Sequence, residues 1–195
     1  FCCDTRHAVP TAYDGEWSFL QHSTELWHRW QGRDQRETDE LTALVPEGQL
    51  PVACRGVAFC QRDFRTLACR TFPFFPYITR QGEFLGACYL WEFEDRCWVI
   101  SNLQVVSAEY RQEFVAAYEG IFAAMPEERE TFRQFSILMR RVFGRKGRAI
   151  SLLHRNGGYY KVTPRNGRMR RVQAEALPAF GPYRVVAQLP FADEL

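Results

Sequence analysis

The sequence predicts an α+β fold, with helices and antiparallel strands in different stretches of a single domain, residues 1–195. Apolar residues recur at helical spacing between residues 107 and 144, and period-two runs separated by Asn-Gly pairs follow them. The first 76 residues are rich in cysteine and broken by proline. We therefore expect a Cys-rich N-terminal loop region, 1–76, packed on a helical hairpin and a small antiparallel sheet within 77–195.

The N-terminal third contains one expected helix, from Gly15 to Gln31, behind Asp14 as its N-cap. Its large apolar side chains recur roughly at helical spacing, and they are Trp17, Leu20, Leu26, Trp27 and Trp30. The stretch from Gly32 to Pro51 is charged and then broken by proline and glycine, which is typical of a loop. One helical turn is expected within it, around Asp39 to Leu44.

The middle of the chain is expected to form a strand and two helices. Pro73 and Pro76 argue against a regular helix or a central strand at the end of the Cys-rich region. Aromatic and polar residues alternate between Gly82 and Ile100, which predicts a strand. A helix capped by Ser107 runs to Ala124, and a second runs from Pro126 to Gly144. The short connection between them predicts an antiparallel helical hairpin.

The last fifty residues change to a period of two, which indicates strands. Asn156-Gly157 and Asn166-Gly167 are typical hairpin turns. The strands that they separate are Ile150–Leu153, Tyr159–Thr163 and Met169–Val172, and a final strand is expected at Val185–Leu189.

The composition is that of an ordinary globular protein. Of the 195 residues, 46% are hydrophobic and 25% are charged, which suffices for one buried core. A net charge of +2 indicates no strong preference for polyanions, and no apolar run approaches the ~20 residues of a transmembrane helix. Seven cysteines, an odd number, do not look like a secreted disulfide framework, so the expected compartment is the reducing cytoplasm.

Five cysteines fall in two clusters. Cys54, Cys60 and Cys69 are spaced Cys-x5-Cys-x8-Cys, and Cys2 and Cys3 are adjacent at the start of the chain. Thiolates on a short loop bind soft metals, and a tetrahedral zinc or iron centre needs about four N or S ligands. Neither cluster supplies four ligands alone, whereas together they can. We therefore predict one metal site from these five cysteines, against the alternative that they are small buried apolar residues.

The residues Phe64 to Phe74, FRTLACRTFPF, resemble the signature of the YkgJ family of zinc- or iron-chelating domains. That signature runs Cys, Cys and then Arg-Pro-x-x-Cys-Arg-x-aromatic-Pro, behind an upstream Cys-Cys pair. Its positions match Cys54, Cys60, Cys69, Arg70, Phe72 and Pro73, while Thr66 stands where the family usually has proline. The resemblance covers roughly residues 1–76 and implies a metal-thiolate domain without implying a reaction. Beside it, Arg70 is expected to favour the thiolate of Cys69.

Other interpretations of the cysteines stay open. Four cysteines also suit an Fe–S cluster, so the alternative is a redox or sensing protein, with Cys88 and Cys97 as extra ligands. These two are otherwise expected to be packing residues on or beside a strand. His7 is close enough to Cys3 in sequence to be an occasional fourth ligand. Some proteins with a YkgJ-like cysteine block are protein-lysine methylases, although this chain lacks a Rossmann-type glycine motif for a methyl donor.

Two groups of basic residues lie in the second half of the chain. One straddles the end of the second hairpin helix and consists of Arg140, Arg141, Arg145, Lys146 and Arg148; the other consists of Arg165, Arg168, Arg170 and Arg171. Without interleaved aromatic residues of the kind found on RNA-recognition surfaces, solvated charge is the favoured interpretation.

The sequence therefore predicts a metal-binding protein with one Cys-rich structural or sequestering site. The expected cofactor is Zn²⁺, with iron or an Fe–S cluster as the alternative. A metal ion is the expected partner, and neither a nucleic acid nor a membrane is expected. The residues identify no reaction and no protein partner.

Overall fold

The computed structural model describes residues 2–181. Helices and antiparallel sheets make up its regular structure, so the predicted α+β class is confirmed. One compact unit ends at Phe72 and a second begins at Pro73. This division lies close to residue 76, where the sequence suggested a change from the Cys-rich part to the rest. Within residues 2–181, no helix combines the length and the apolar character that crossing a membrane requires.

The first unit is built around a three-stranded antiparallel sheet in the order β1-β3-β2. The strands are β1 (Thr11–Tyr13), β2 (Trp27–Arg29) and β3 (Gln49–Cys54). The helices are α1 (Asp14–Ser23), α2 (Gln35–Leu44) and α3 (Leu67–Thr71), with 3₁₀ turns at Val57–Phe59 and Arg62–Phe64. Helix α2 is longer than the single turn predicted because Asp34 caps it, accepting a 2.8 Å hydrogen bond from the Glu37 amide.

The helix predicted from Gly15 to Gln31 ends at Ser23, and this part of the prediction is wrong. Thr24 adopts an extended backbone, and Trp27 lies on β2. The helix-like spacing arises because α1 and β2 both bury apolar residues in the same core. That core consists of Ala12, Trp17, Leu20, Leu26, Trp27, Leu50 and Val52.

The second unit contains a five-stranded antiparallel sheet in the order β4-β5-β6-β7-β8. The strands are β4 (Phe74–Ile78), β5 (Phe84–Tyr89), β6 (Ile150–His154), β7 (Tyr159–Val162) and β8 (Met169–Val172). The last three confirm the predicted hairpins, and the strand predicted at Val185–Leu189 lies outside the described residues. Pro76 lies inside β4, in a region expected to be loop-like. A proline is tolerated there because β4 is at the edge of the sheet.

Two helices, α4 (Ala108–Ala124) and α5 (Pro126–Arg145), confirm the predicted helical hairpin. Ser107 caps α4 by accepting a 3.1 Å hydrogen bond from the Tyr110 amide. The rings of Phe122 and Phe132 lie 6.1 Å apart where the two helices meet. The strand predicted over Gly82–Ile100 is shorter than expected and gives way to a 3₁₀ turn at Trp91–Phe93.

Strands β4 and β5 are buried along their whole length. Helix α4 packs Phe122 against Phe84 of β5, with ring centroids 5.4 Å apart. Helix α5 packs Phe135 against Phe75 of β4, with ring centroids 4.7 Å apart. Edge-to-face aromatic contacts of this kind add to the burial of apolar area. The buried strand pair is therefore the centre of the second unit's core.

A substitution at Gly86 tests the close contact between β5 and β6. Its φ is +133°, and a Cβ there would clash with the Leu153 carbonyl and lie 2.8 Å from the Arg155 amide nitrogen. We expect Gly86→Ala to lower the free energy of unfolding by more than about 3 kcal/mol, because a backbone clash adds to the strained φ. Urea unfolding followed by circular dichroism measures this change.

Gly120→Ala is the matched control, since a Cβ at this exposed position of α4 meets nothing within 4 Å. It should be neutral or stabilise the protein by up to about 1 kcal/mol, through helix propensity. Equal destabilisation by the two substitutions would contradict the close approach at Gly86.

Candidate metal centre

The five cysteines of the predicted site all lie in the first unit. Cys2 and Cys3 are exposed in a turn at the start of the chain, Cys54 is the last residue of β3, and Cys60 follows the first 3₁₀ turn. Cys69 lies in α3. Cys54 and Cys69 are half-buried and pack against the core of the unit. A strand and a helix thus hold two of the thiols, and irregular segments carry the others.

The thiols influence one another's protonation. Burial raises the pKa of the Cys69 thiol to about 11, Arg65 opposes this shift, and Cys3, Cys54 and Cys60 add to it. Partial desolvation also raises the pKa of Cys3, and Cys2 and Cys60 are among the groups that add to that shift. Such mutual effects require the sulfurs to lie within electrostatic range of one another. The N-terminal turn and the segment from Cys54 to Cys69 therefore lie within electrostatic range of each other.

Arg65 is a site residue that sequence reasoning missed. Its Nε and Nη2 donate hydrogen bonds to Cys60 Sγ at 3.2 and 3.1 Å. These hydrogen bonds are the main reason why the pKa of Arg65 is raised. The same guanidinium lowers the pKa of the Cys69 thiol, and the thiolate is the form that binds metals. The available signal was the position of this arginine between Cys60 and Cys69 in the sequence.

Arg70 contacts the main chain of the same segment. Its Nη2 donates a 2.8 Å hydrogen bond to the carbonyl of Asp63, and its Nε donates a 3.1 Å hydrogen bond to the carbonyl of Arg65. Arg70 therefore braces the main chain between Cys60 and Cys69, and its expected effect on the Cys69 thiolate stays a prediction.

Glu16 anchors the start of α3 to α1. Its Oε1 accepts a 2.6 Å hydrogen bond from the Leu67 amide, and its Oε2 accepts a 3.3 Å hydrogen bond from the Tyr13 amide. Burial raises the pKa of the Glu16 carboxyl, and these two amide donors oppose the shift. Because Leu67 is distant from Glu16 in sequence, no local pattern could have revealed this contact.

Two further hydrogen bonds fix the segment before Cys69. Thr66 Oγ1 accepts a 3.1 Å hydrogen bond from the Cys69 amide and thereby caps α3. Trp27 Nε1 donates a 2.6 Å hydrogen bond to the carbonyl of Phe64. The segment was expected to depend on metal coordination and aromatic packing for its order. The structure shows that it also has a hydrogen-bonded scaffold of its own.

The thiols lie near one another without converging on one point. Within the described range 2–181, no three or more His, Cys, Asp and Glu side chains are placed to hold a metal ion as they stand. Cys3 and Cys60 lie outside the strands and α-helices. Moving their sulfurs to the ~2.3 Å zinc–sulfur distance therefore requires no strand or α-helix to break.

Cys88 and Cys97 belong to the second unit, and both are buried. The Cys88 thiol lies on β5 and donates a 3.2 Å hydrogen bond to the carbonyl of Ser151. Burial raises the pKa of Cys88 well above its ordinary value, so the thiol stays protonated. Cys88 is therefore a packing residue, as the sequence favoured.

Arg65→Met should make Cys69 less reactive in the metal-free protein, because the Arg65 guanidinium lowers the pKa of that thiol. We expect alkylation of Cys69 by iodoacetamide at pH 9 to slow by about threefold or more. Mass spectrometry of peptides from timed quenches gives the rate. Arg62→Met, which removes an exposed cation from the same segment, is the control and should leave the rate unchanged. An unchanged rate in Arg65→Met would show that the guanidinium does not act on Cys69.

Comparison with known proteins gave no match to a protein-family model, to a curated protein or to a solved structure. The resemblance to the YkgJ family rests on the residues quoted above and stays a prediction.

Proposed function

We propose that the first unit binds one zinc ion through Cys3, Cys54, Cys60 and Cys69, with Cys2 in reserve, as a structural or sequestering site. The observation that carries this proposal is that Cys54 and Cys69 are half-buried against one core, while two N–H groups of Arg65 donate hydrogen bonds to Cys60 Sγ. Crowded thiols resist ionisation because the thiolates that form would repel one another. A divalent cation removes that repulsion and displaces the protons, so the same crowding favours metal binding.

The ligand chemistry favours zinc over Mg²⁺ and Ca²⁺, which prefer oxygen ligands. A sphere made of thiolates is also the structural type of zinc site, whereas catalytic zinc keeps a position open for water. Arg65 supplies N–H donors to the Cys60 sulfur, and such outer contacts orient ligands and moderate their charge. The predicted packing of the Cys-rich part on the helical hairpin stays a prediction.

Metal analysis of protein purified without oxygen tests the proposal. We expect about one zinc per chain, and single Ser substitutions at Cys54, Cys60 and Cys69 should each lower that ratio because each removes a ligand. Cys88→Ser is the matched control and should keep the full ratio, since its thiol lies on β5 of the second unit.

Two results would contradict the zinc site. Iron with acid-labile sulfide and absorption near ~400 nm would replace zinc by an Fe–S cluster. Equal loss of zinc in all four Ser variants would show that the division between ligands and packing cysteines is wrong.

Removal of the metal should loosen the Cys-rich part selectively. We expect chelation to speed amide hydrogen exchange mainly in residues 1–76, because zinc contributes on the order of 10 kcal/mol in small structural sites. Helices α4 and α5 have their own packed faces and should keep their protection. Hydrogen exchange read by mass spectrometry, with zinc loss verified on the same sample, distinguishes the two regions. Unchanged protection throughout the chain would rule out a structural role for the metal.

A further inference from the structure

The charge of the chain is very unevenly distributed. Residues 131–174 contain twelve arginine and lysine residues and no aspartate or glutamate. The rest of the chain carries thirteen such cations against twenty-three acidic residues. The modest net charge of the whole protein therefore conceals a strongly basic stretch, which forms much of α5 and all of β6, β7 and β8. Concentrated positive charge of this kind attracts polyanions.

Internal ion pairs neutralise only part of this stretch. Glu94 pairs with Arg148, Glu119 with Arg155, and Glu130 with Arg133. Five cations of the β7–β8 hairpin take part in none of the ion pairs seen among residues 2–181. These five are Lys161, Arg165, Arg168, Arg170 and Arg171, and all except the half-buried Lys161 are exposed. Among the described residues, the hairpin is therefore a basic surface whose cations have no ion-pair partner.

The strand register puts aromatic rings beside these cations. Tyr160 of β7 lies directly opposite Arg171 of β8, so both side chains are on one face of the sheet. Tyr160 also lies opposite Leu152 of β6, which puts His154, two residues further on, on that same face. The rings of His154 and Tyr160 have centroids 4.8 Å apart, and both residues are half-buried. The sequence did not show this interleaving of rings and cations because it arises across three strands.

Gly158, which has no side chain, leaves room for the side chain of Arg171 beside His154 and Tyr160. A Cβ at Gly158 would lie 3.1 Å from Arg171 Nε, so the guanidinium occupies the space that a side chain would fill. The imidazole is held by the Asn156 amide, which donates a 3.1 Å hydrogen bond to His154 Nδ1. The rings of His154 and Tyr160 thus share one face of the sheet with Arg171, the cross-strand neighbour of Tyr160, and we name these three residues the ring platform.

The neighbouring residue Tyr159 lies on the opposite face of the sheet, where it packs against α4. Its ring lies 4.6 Å from the guanidinium of Arg111 in α4, and its hydroxyl accepts a 2.8 Å hydrogen bond from Arg111 Nη2. Tyr159 is thus taken up by packing within the unit.

We propose that the ring platform and the surrounding cations of the β7–β8 hairpin bind single-stranded nucleic acid. Bases stack on Tyr160, His154 and the Arg171 guanidinium, while Arg165 and Arg168 of the connecting turn contact phosphates. Half-buried rings in a sheet can stack only on bases that are free of a duplex, so the single strand is the preferred form. The binding is tolerant of sequence, because every base has a face that can stack.

The platform fits a nucleic acid better than a lipid surface. Insertion into a membrane needs exposed aliphatic or aromatic side chains that reach outward. On the hairpin, Met169 is the one large hydrophobic side chain that is well exposed, at 39%. Rings that lie beside a guanidinium, with cations around them, are instead the arrangement that single-strand binding proteins use.

Fluorescence anisotropy with a labelled 12-nucleotide RNA of mixed sequence tests the proposal on the full chain. We expect micromolar binding near 50 mM salt and a linear fall of log affinity with log salt, with a slope of about −1.4 to −2 for two to three phosphate contacts. A DNA single strand of the same sequence shows whether the surface prefers RNA or DNA. We expect the matching duplex to bind more weakly than either single strand.

Two kinds of variant separate stacking from charge. Tyr160→Val keeps a strand-forming residue and should weaken binding about 5- to 100-fold without changing the salt slope. Arg165→Ser and Arg168→Ser, at exposed positions of the turn between β7 and β8, should each make the slope shallower by roughly 0.7. Trp98→Leu and Arg36→Ser remove an exposed ring and an exposed cation elsewhere and should change neither quantity. Circular dichroism confirms that each variant is folded.

Three results would overturn the proposal. The first is no binding of RNA or DNA single strands up to about 100 μM at 50 mM salt. The second is wild-type affinity in folded Tyr160→Val, which would show a merely electrostatic attraction to polyanions. The third is equally strong binding to vesicles of phosphatidylcholine with phosphatidylserine, in competition with RNA, which would assign the surface to a membrane.

Discussion

The close approach of β6 to β5 at Gly86 determines how the second unit is built. Pairing between these strands is confined to Gly86 with His154 and Ala87 with Leu153. The Arg155 amide extends the contact by donating a 2.8 Å hydrogen bond to the carbonyl of Leu85. Because residue 86 has no side chain, the two backbones can meet, and β6 brings β7 and β8 into the same sheet. The buried β4–β5 pair thus supports α4 and α5 as well as the outer hairpin.

A buried arginine shows how tightly α5 fits on that strand pair. Arg140 is only 5% exposed, and its Nη1 donates to the Tyr77 hydroxyl at 3.1 Å and to the carbonyl of Ile78 at 3.0 Å. Its Nε and Nη2 have no hydrogen-bond partner among the described residues. A buried charge that is only partly satisfied is costly, and the Tyr77 ring, 5.5 Å away, offsets a part of this cost. The register of α5 against β4 is therefore set by polar contacts as well as by aromatic packing.

The sequence predicted those elements whose signals are local. Helices α4 and α5 have caps and continuous apolar faces, and the outer hairpins have Asn-Gly turns, so their bounds were nearly correct. Trp27 was assigned to a helix because two elements that share one core can imitate a single periodicity. In the candidate site, the cysteines were visible as a spacing, whereas Arg65 and Glu16 act through contacts that depend on how the chain folds back. Likewise, the neighbourhood of Tyr160 and Arg171 becomes visible only when the strand register is known.

Glu16 makes α1 part of the frame that positions Cys69. Its carboxylate accepts hydrogen bonds from the Tyr13 amide before α1 and from the Leu67 amide at the start of α3. The folding of the two helices is therefore energetically coupled. A ligand that stabilises α3 must then also stabilise α1, and by thermodynamic reciprocity a change that loosens α1 must weaken that ligand's binding by the same factor. A helix that contains no cysteine is therefore coupled to the segment that positions Cys69.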